Sequence, residues 1–382
     1  MDLWSLNLRH LYAMARIVEL GTINAAAGKV NLTQPAITQA IARLERQLGA
    51  ALFDRKPQGM TPTESALLLA PRVEAAMRQI GSSHVTMARM RALLALADAG
   101  SYTGAAEITG LSMPSLHRAV ADFSLAARRR LVERRGRTLV FTEAGLRTVR
   151  AFRLARAELM AGLSEVEALK GRETRIITIG AMPLSRARVL PAAVVRFARS
   201  HPRIRVAIVE GSRSELIEPL RDGLIDFTLG ALRDPLLEPD LVQEPLFEDR
   251  PQVFARTGHP LEGSAPDLAA LAEYEFLLPP PGTPLRDVWD EQYRQAGLPP
   301  PRVTLETGSV MMIRQILIET DRLTVLSPDQ LMAEIAAGMI APIAAPNAGP
   351  VRTIGITTRA DWHMTGAQQA FLSSLRELAE QA

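Results

Sequence analysis

The chain has 382 residues, a formal net charge of +3 and no cysteine. That length calls for two or three domains, and the missing thiols exclude disulfides and thiolate chemistry and suit a reducing cytoplasm. Lys29, Lys56 and Lys170 are the only lysines, so 41 of the 44 basic residues are Arg, which in an alanine- and proline-rich chain says little about nucleic acid by itself.

The amino terminus has neither a basic leader nor an apolar core, and no run approaches the ~20 apolar residues of a membrane span. A soluble, cytoplasmic protein without a membrane partner is expected. Leu8, Leu11, Ala15 and Val18 recur at helical spacing. Thr22 is placed to cap a short second helix through Ala25, Ala26 and Ala27, and Asn31-Leu32-Thr33 makes the turn. Thr33 then caps a third helix with Pro35 in its first turn, where a missing N–H costs little. Ile37, Ile41, Leu44 and Leu48 form its buried face, leaving Gln34 at its start and Pro35, Thr38, Gln39, Ala42, Arg43 and Arg46 outside. Gly49 ends the helix, and a basic hairpin with Arg55 and Lys56 turns at Pro57-Gln58-Gly59.

This layout is that of a winged helix-turn-helix. Thr33, Gln34, Pro35, Thr38 and Gln39 stand where base edges are met, and Arg43, Arg46, Arg55 and Lys56 where phosphates are. A helical bundle used for protein contacts is the plainer alternative.

The whole stretch recurs without a gap 79 residues later. Ala13, Gly21, Ala26, Leu32, Pro35, Leu52, Arg55 and Glu64 meet the same residue types at Ala92, Gly100, Ala105, Leu111, Pro114, Leu131, Arg134 and Glu143. The outer face of the second copy has diverged: Thr38, Gln39, Arg43 and Arg46 become His117, Arg118, Asp122 and Leu125. Arg128 stands in place of Gly49, so the helix is expected to run on as a basic extension. Two readings follow. Either this copy grips phosphates through Arg118, Arg128, Arg129, Arg130 and the wing residues Arg134 and Arg135, or it packs on a neighbour through Leu125. Clustering of the arginines favours the first, with His117 beside them.

Gly21 to Ala26, Leu32 to Thr38, Ile41 to Glu45, Leu52 to Arg55 and Thr61 to Glu64 carry a resemblance to the LysR-type transcriptional regulators. Ala66 departs from the family's usual Gly, which Gly145 keeps in the second copy, and a tandem pair departs from its single domain. Val149, Phe152, Leu159, Leu163 and Val166 give one long helix a seam. In the family this is the linker helix that pairs two subunits, so a homo-oligomer, dimer or tetramer, is expected, with contact to Leu67–Met77 of the same chain as the alternative.

After Lys170-Gly171-Arg172 strand and helix patterns alternate, as in α/β domains. Ile177 to Gly180, Leu190-Pro191, His201-Pro202 and Gly223 to Gly230 resemble the family's effector-binding domain, two-lobed like periplasmic solute-binding proteins. The expected fold is therefore multidomain. Two tandem helix-rich winged helix-turn-helix copies (1–81 and 82–142) and a linker helix (143–171) precede an α/β effector domain (172–382). Lobe I is expected over 172–252 and 360–382, lobe II over 253–359.

Ligands of such sheets bind at the carboxyl ends of strands, between lobes. Those ends bring Met182, Ser185, Ser212, Gly230, Thr283, Thr307 and Ser309 together as candidates. Ser185 and Ser309 are expected helix caps, and the positive end of a helix suits a small organic acid. The six histidines are scattered without metal spacing, and there is no phosphate loop, nucleophile elbow or dinucleotide fingerprint. His259 could act with Asp287 or Glu291, but a two-lobed binding fold without a paired nucleophile reads better as a sensor, so no catalytic residue, metal or cofactor is expected. The function expected is sequence-specific regulation of transcription on double-stranded DNA in response to a small-molecule effector. The alternative is a ligand-binding interaction protein whose duplicated domains no longer read DNA.

Overall fold

The structure is a computed structural model that describes residues 2–56, 59–82, 84–136, 138–172, 176–345 and 351–381, with only the backbone of residues 55, 56, 59 and 186. The first copy comprises α1 (Leu8–Leu20), α2 (Ile23–Val30), α3 (Gln34–Leu48), the wing strands β1 (Phe53–Lys56) and β2 (Gly59–Pro62), and α4 (Glu64–Ile80). Each helix start is set by a side chain that accepts from an orphan backbone N–H: Asn7 for α1, Thr22 for α2, Thr33 for α3 and Thr63 for α4. The expected hairpin turn at Pro57-Gln58 lies outside the described residues.

The second copy repeats these elements as α5 (Met87–Ala99), α6 (Tyr102–Thr109), α7 (Met113–Ala126), β3 (Val132–Arg135), β4 (Thr138–Phe141) and α8 (Glu143–Leu169). Thr86, Ser101, Ser112 and Thr142 cap its helices. Arg128 does not extend α7. The helix stops at Ala126, and Arg128 takes φ +51°, the left-handed conformation that Gly49 holds at φ +58° in the first copy. The wing needs that reversal, so the backbone keeps it even with an unfavourable side chain.

α4 and α8 pack on each other over most of the length of α4. Gly162 of α8 allows the close approach: a Cβ there would stand 2.7 Å from Leu69 Cδ1. Val149, Phe152, Leu159, Leu163 and Val166 are all buried within the single chain and share one core with both copies. The seam expected to join two subunits is thus filled from inside, by α4 and the body of the second copy. α4 has 17 residues against 27 in α8, because the chain must leave α4 at Gly81 to begin the second copy.

Lobe I of the second half is a five-stranded sheet in the order β6 (Arg205–Glu210), β5 (Ile176–Ala181), β7 (Phe227–Ala231), β14 (Arg352–Arg359), β8 (Leu241–Asp249). β5, β6 and β7 are parallel and β14 is antiparallel to its neighbours. α9 (Val189–Ser200) and α15 (Gly366–Ala379) close one face over Phe197, Phe227 and Phe371, and α10 (Arg213–Arg221) buries Leu216 and Leu220 on Ile225 and Leu241. Because β14 pairs with β7 and β8, the chain has returned to lobe I by Arg352, ahead of the boundary at 360 expected from sequence.

Lobe II holds β9 (Gln252–Arg256), α11 (Leu268–Ala272), β10 (Phe276–Leu278), α12 (Pro284–Gln295), β11 (Val303–Glu306), α13 (Val310–Glu319), β12 (Thr324–Leu326), α14 (Met332–Ala336) and β13 (Ile340–Ile343). β9 lies between β12 and β13, and a Phe276–Leu323 bridge adds the parallel β10–β11 pair beside β12. Trp289 and Tyr293 pack on one side, Ile313 and Leu317 on the other.

Candidate nucleic-acid interface

α3 is held from behind and open in front. Ile37, Ile41, Leu44 and Leu48 are buried, while Gln34, Pro35, Thr38, Gln39, Arg43 and Arg46 are exposed. Thr33 Oγ1 accepts from Ala36 N at 3.4 Å, Thr38 Oγ1 donates to Gln34 O at 3.1 Å, and Arg46 Nε donates to Ala42 O at 3.3 Å. Gln39 and Arg43 make no side-chain hydrogen bond or ion pair among the described residues, so their donors are available. Arg55 and Lys56 lie on strand β1, their side chains outside the described residues. His10 of α1 has its pKa lowered by burial and by the neighbouring charges of Arg43 and Arg9.

On α7, His117 and Arg118 are exposed at the positions of Thr38 and Gln39. The His117 ring stacks on Tyr102 with centroids 3.5 Å apart. Arg118, Arg129 and Arg134 are exposed without an ion-pair partner among the described residues, whereas Arg135 pairs with Glu133 at 3.0 Å. Leu125 is 81% exposed, left largely uncovered by the described residues of its own chain.

The two copies reach the effector domain through arginines that the sequence reading passed over. Arg72 of α4 is buried between Glu158 and Glu165 of α8, and its Nη1 also donates to His363 O at 2.6 Å. Burial lowers its pKa, but the hydrogen bond and charge of Glu165, with Glu158, more than offset this and hold it above the ordinary value. Arg150 and Arg153 of α8 both pair with Asp222 of lobe I, and Arg153 also holds Asp98 of α5 at 2.6 Å. The available signal was phase: Arg72 falls in the apolar row with Leu69, Val73 and Ala76.

The effector candidates are placed as follows. Ser309 caps α13, accepting from Met312 N at 3.5 Å, as expected. Ser185 caps nothing; it is buried and donates to Met182 O at 2.8 Å, because the chain first makes a short 3-10 turn and α9 begins only at Val189. Ser212 opens α10 in a capping box with Glu215, Thr283 donates to Pro280 O, and Thr307 accepts from Ser309 N. Gly230 faces Met182, whose Cγ would lie 2.7 Å from a Cβ there. Arg188 crosses between the lobes to Asp329 at 2.8 Å. His259 is buried, with Nδ1 accepting from Leu261 N and Nε2 on Asp321 O, so it has no arrangement with Asp287 or Glu291. Among the described residues no group of carboxylates and histidines is arranged to hold a metal ion, and no helix is long and apolar enough to cross a membrane.

Comparison with known proteins agrees with this architecture. The model of the bacterial regulatory helix-turn-helix protein, lysR family, matches twice, at residues 8–67 and 87–146, and that of the LysR substrate binding domain matches residues 170–380. The chain is 31% identical to the HTH-type transcriptional regulator GalR of Pseudomonas putida over 98% of both chains. It is 25% identical to the uncharacterized regulator YdcI of Escherichia coli over 97% of this chain and 95% of that one.

Among solved structures it is similar to full-length OxyR of Pseudomonas aeruginosa, at 22% identity and a TM-score of 0.58, covering 78% of this chain and 96% of that one. It is also similar to CbnR, solved with its target DNA, at 17% identity and a TM-score of 0.53, covering 76% and 98%. The part of this chain left without a counterpart is about the size of one winged copy. The chain belongs to the LysR family of DNA-binding transcriptional regulators, with two helix-turn-helix copies ahead of its effector-binding domain.

Proposed function

We propose that this regulator reads bases with Thr38 and Gln39 of α3, holds phosphates with Arg43, Arg46 and the wing residues Arg55 and Lys56, and responds to a small organic acid between the lobes. The observation that carries the reading is the α3 face: one side fully buried, the other presenting amide, hydroxyl and guanidinium groups. For the effector, the free N–H groups at the start of the ten-residue α13, beside Thr307 and Ser309, favour an anion. A change in lobe closure has a route to the DNA-binding copies through Arg150 and Arg153 on Asp222 and through Arg72 on the His363 carbonyl. The protein works without catalysis, in the cytoplasm where its DNA lies.

The test is enrichment of genomic fragments by the purified protein, followed by titration over a range of salt. Arg43→Ala is expected to lower affinity and reduce the slope of log K on log salt by about 0.9, one phosphate contact. Gln39→Ala is expected to relax sequence preference with the slope kept. Enrichment of no fragment, with or without organic acids, sinks the reading in favour of an interaction protein.

A further inference from the structure

The two winged copies are related by a symmetry that the chain carries within itself. Equivalent elements begin 79 residues apart, from α1 and α5 at Leu8 and Met87 to α4 and α8 at Glu64 and Glu143. α4 and α8 run antiparallel. Leu69 and Arg72, in the first half and at the middle of α4, lie against Gly162 in the second half of α8, while the later residues Ala75 and Gln79 share a cleft with the earlier residues Leu154 and Glu158. An antiparallel pairing of two equivalent helices is what a two-fold axis produces, and the axis passes where a residue meets its own equivalent. Two turns inward from the Leu69–Gly162 contact, along each helix, the residues are Ala76 and Ala155. They are 79 apart, identical and fully buried.

We propose that one chain is by itself a two-fold DNA reader, placing α3 and α7 in successive major-groove segments of one duplex, and that its operator joins two unlike half-sites. The inference rests on the reading of α3 as a DNA-contacting helix. The pseudo-two-fold carries α3 onto α7, and both outer faces are open to solvent. The axis relates Gln39 to Arg118, and these side chains prefer different bases: an amide pairs with the N6 and N7 edge of adenine, a guanidinium with O6 and N7 of guanine. Asp122 replaces Arg43 and removes a phosphate contact, while Arg129 and Arg134 stand exposed at the end of α7 and in its wing. The second half-site is therefore guanine-bearing and held by a different set of cations. Ordinary two-fold readers bind palindromes because identical subunits make identical contacts; here the halves diverged after the duplication.

The absence of native cysteine gives a clean test. Full-length Ala76→Cys/Ala155→Cys protein is oxidised, run on a non-reducing gel, and used to select duplexes from a random pool, alone and with Gln39→Ala or Arg118→Ala added. Circular dichroism checks that each variant is folded. The expected result is a disulfide within a single chain and a selected motif of two unlike halves about one helical turn, ~10 base pairs, apart. Gln39→Ala should relax one half and Arg118→Ala the other, each lowering affinity about tenfold. A disulfide that joins two chains, or none at all, overturns the proposal. So does a palindromic motif, or an Arg118→Ala protein with unchanged base preference, and in either case the reading of α3 stands. Failure of the uncrosslinked parent to enrich any duplex removes both.

Discussion

Arg72 and Glu165 meet through two parallel hydrogen bonds, Nε to Oε2 at 3.0 Å and Nη2 to Oε1 at 2.5 Å, between α4 of the first copy and α8 of the second. The same guanidinium donates to Glu158 at 3.1 Å and to the carbonyls of His363 and Met364 in lobe I at 2.6 and 3.2 Å. One side chain thus ties three parts of the molecule. Its removal leaves two poorly exposed carboxylates and two carbonyls without their donor. Arg72→Met is expected to lower stability by about 3 kcal/mol, the lower end for breaking a buried ion pair. Denaturant titration checks it. If the cost comes from stranded charge, adding Glu165→Gln to Arg72→Met must recover part of the loss.

Arg128 offers a change in the opposite direction. A residue with a Cβ at φ +51° carries about 1 kcal/mol of backbone strain that glycine does not, and Gly49 shows that the repeat accepts glycine there. Arg128→Gly is expected to raise stability by about 1 kcal/mol. Since it also removes an exposed cation, DNA affinity should fall slightly while the melting temperature rises, a combination that neither effect alone produces.

His10 makes the first copy sensitive to acid. Burial, then Arg43 and Arg9, lowers its pKa, so between its folded value and the ordinary value of about 6.5 the unfolded chain binds a proton that the folded chain refuses. The stability from a neutral His10 is present above about pH 6.5 and is lost as pH falls through the folded pKa. Melting temperatures at neutral and mildly acidic pH should diverge more for wild type than for His10→Gln. Equal pH slopes for the two proteins would count against this account.

Local chemistry made the winged copies legible in the sequence: Thr22, Thr33 and Thr63 cap the helices they precede, and the buried row Ile37, Ile41, Leu44 and Leu48 orients α3 without reference to anything distant. The duplication was legible for the same reason, being a match at one fixed offset. What a seam packs against is not local. Val149, Phe152 and Leu159 look the same whether their partner is a second subunit or α4, and only the fold decides. Arg128 misled because a sequence shows the missing glycine and not the turn that the wing still imposes. Strand ends suggest the effector candidates, but Ser185 lost its cap to a short 3-10 turn that no pattern announced.

Arg188 and Asp329 form an ion pair between lobe I and lobe II at 2.8 Å, both about one-third exposed. A pair so accessible contributes at most about 1 kcal/mol, since water and salt screen it. Its position still gives it leverage, because it stands at the entrance of α9 on one lobe and beside the Ser327–Gln330 capping box on the other. Arg188→Ala should therefore leave the melting temperature almost unchanged while the lobes part more often. Hydrogen exchange at residues 182–188 and 327–331 is expected to speed up by up to about fivefold, the ratio that corresponds to ~1 kcal/mol, with α3 and α7 unaffected. Asp329→Asn should produce the same local change, and 0.5 M salt should produce part of it in wild type. Exchange that rises evenly across both lobes would instead mean that the pair supports folding rather than closure.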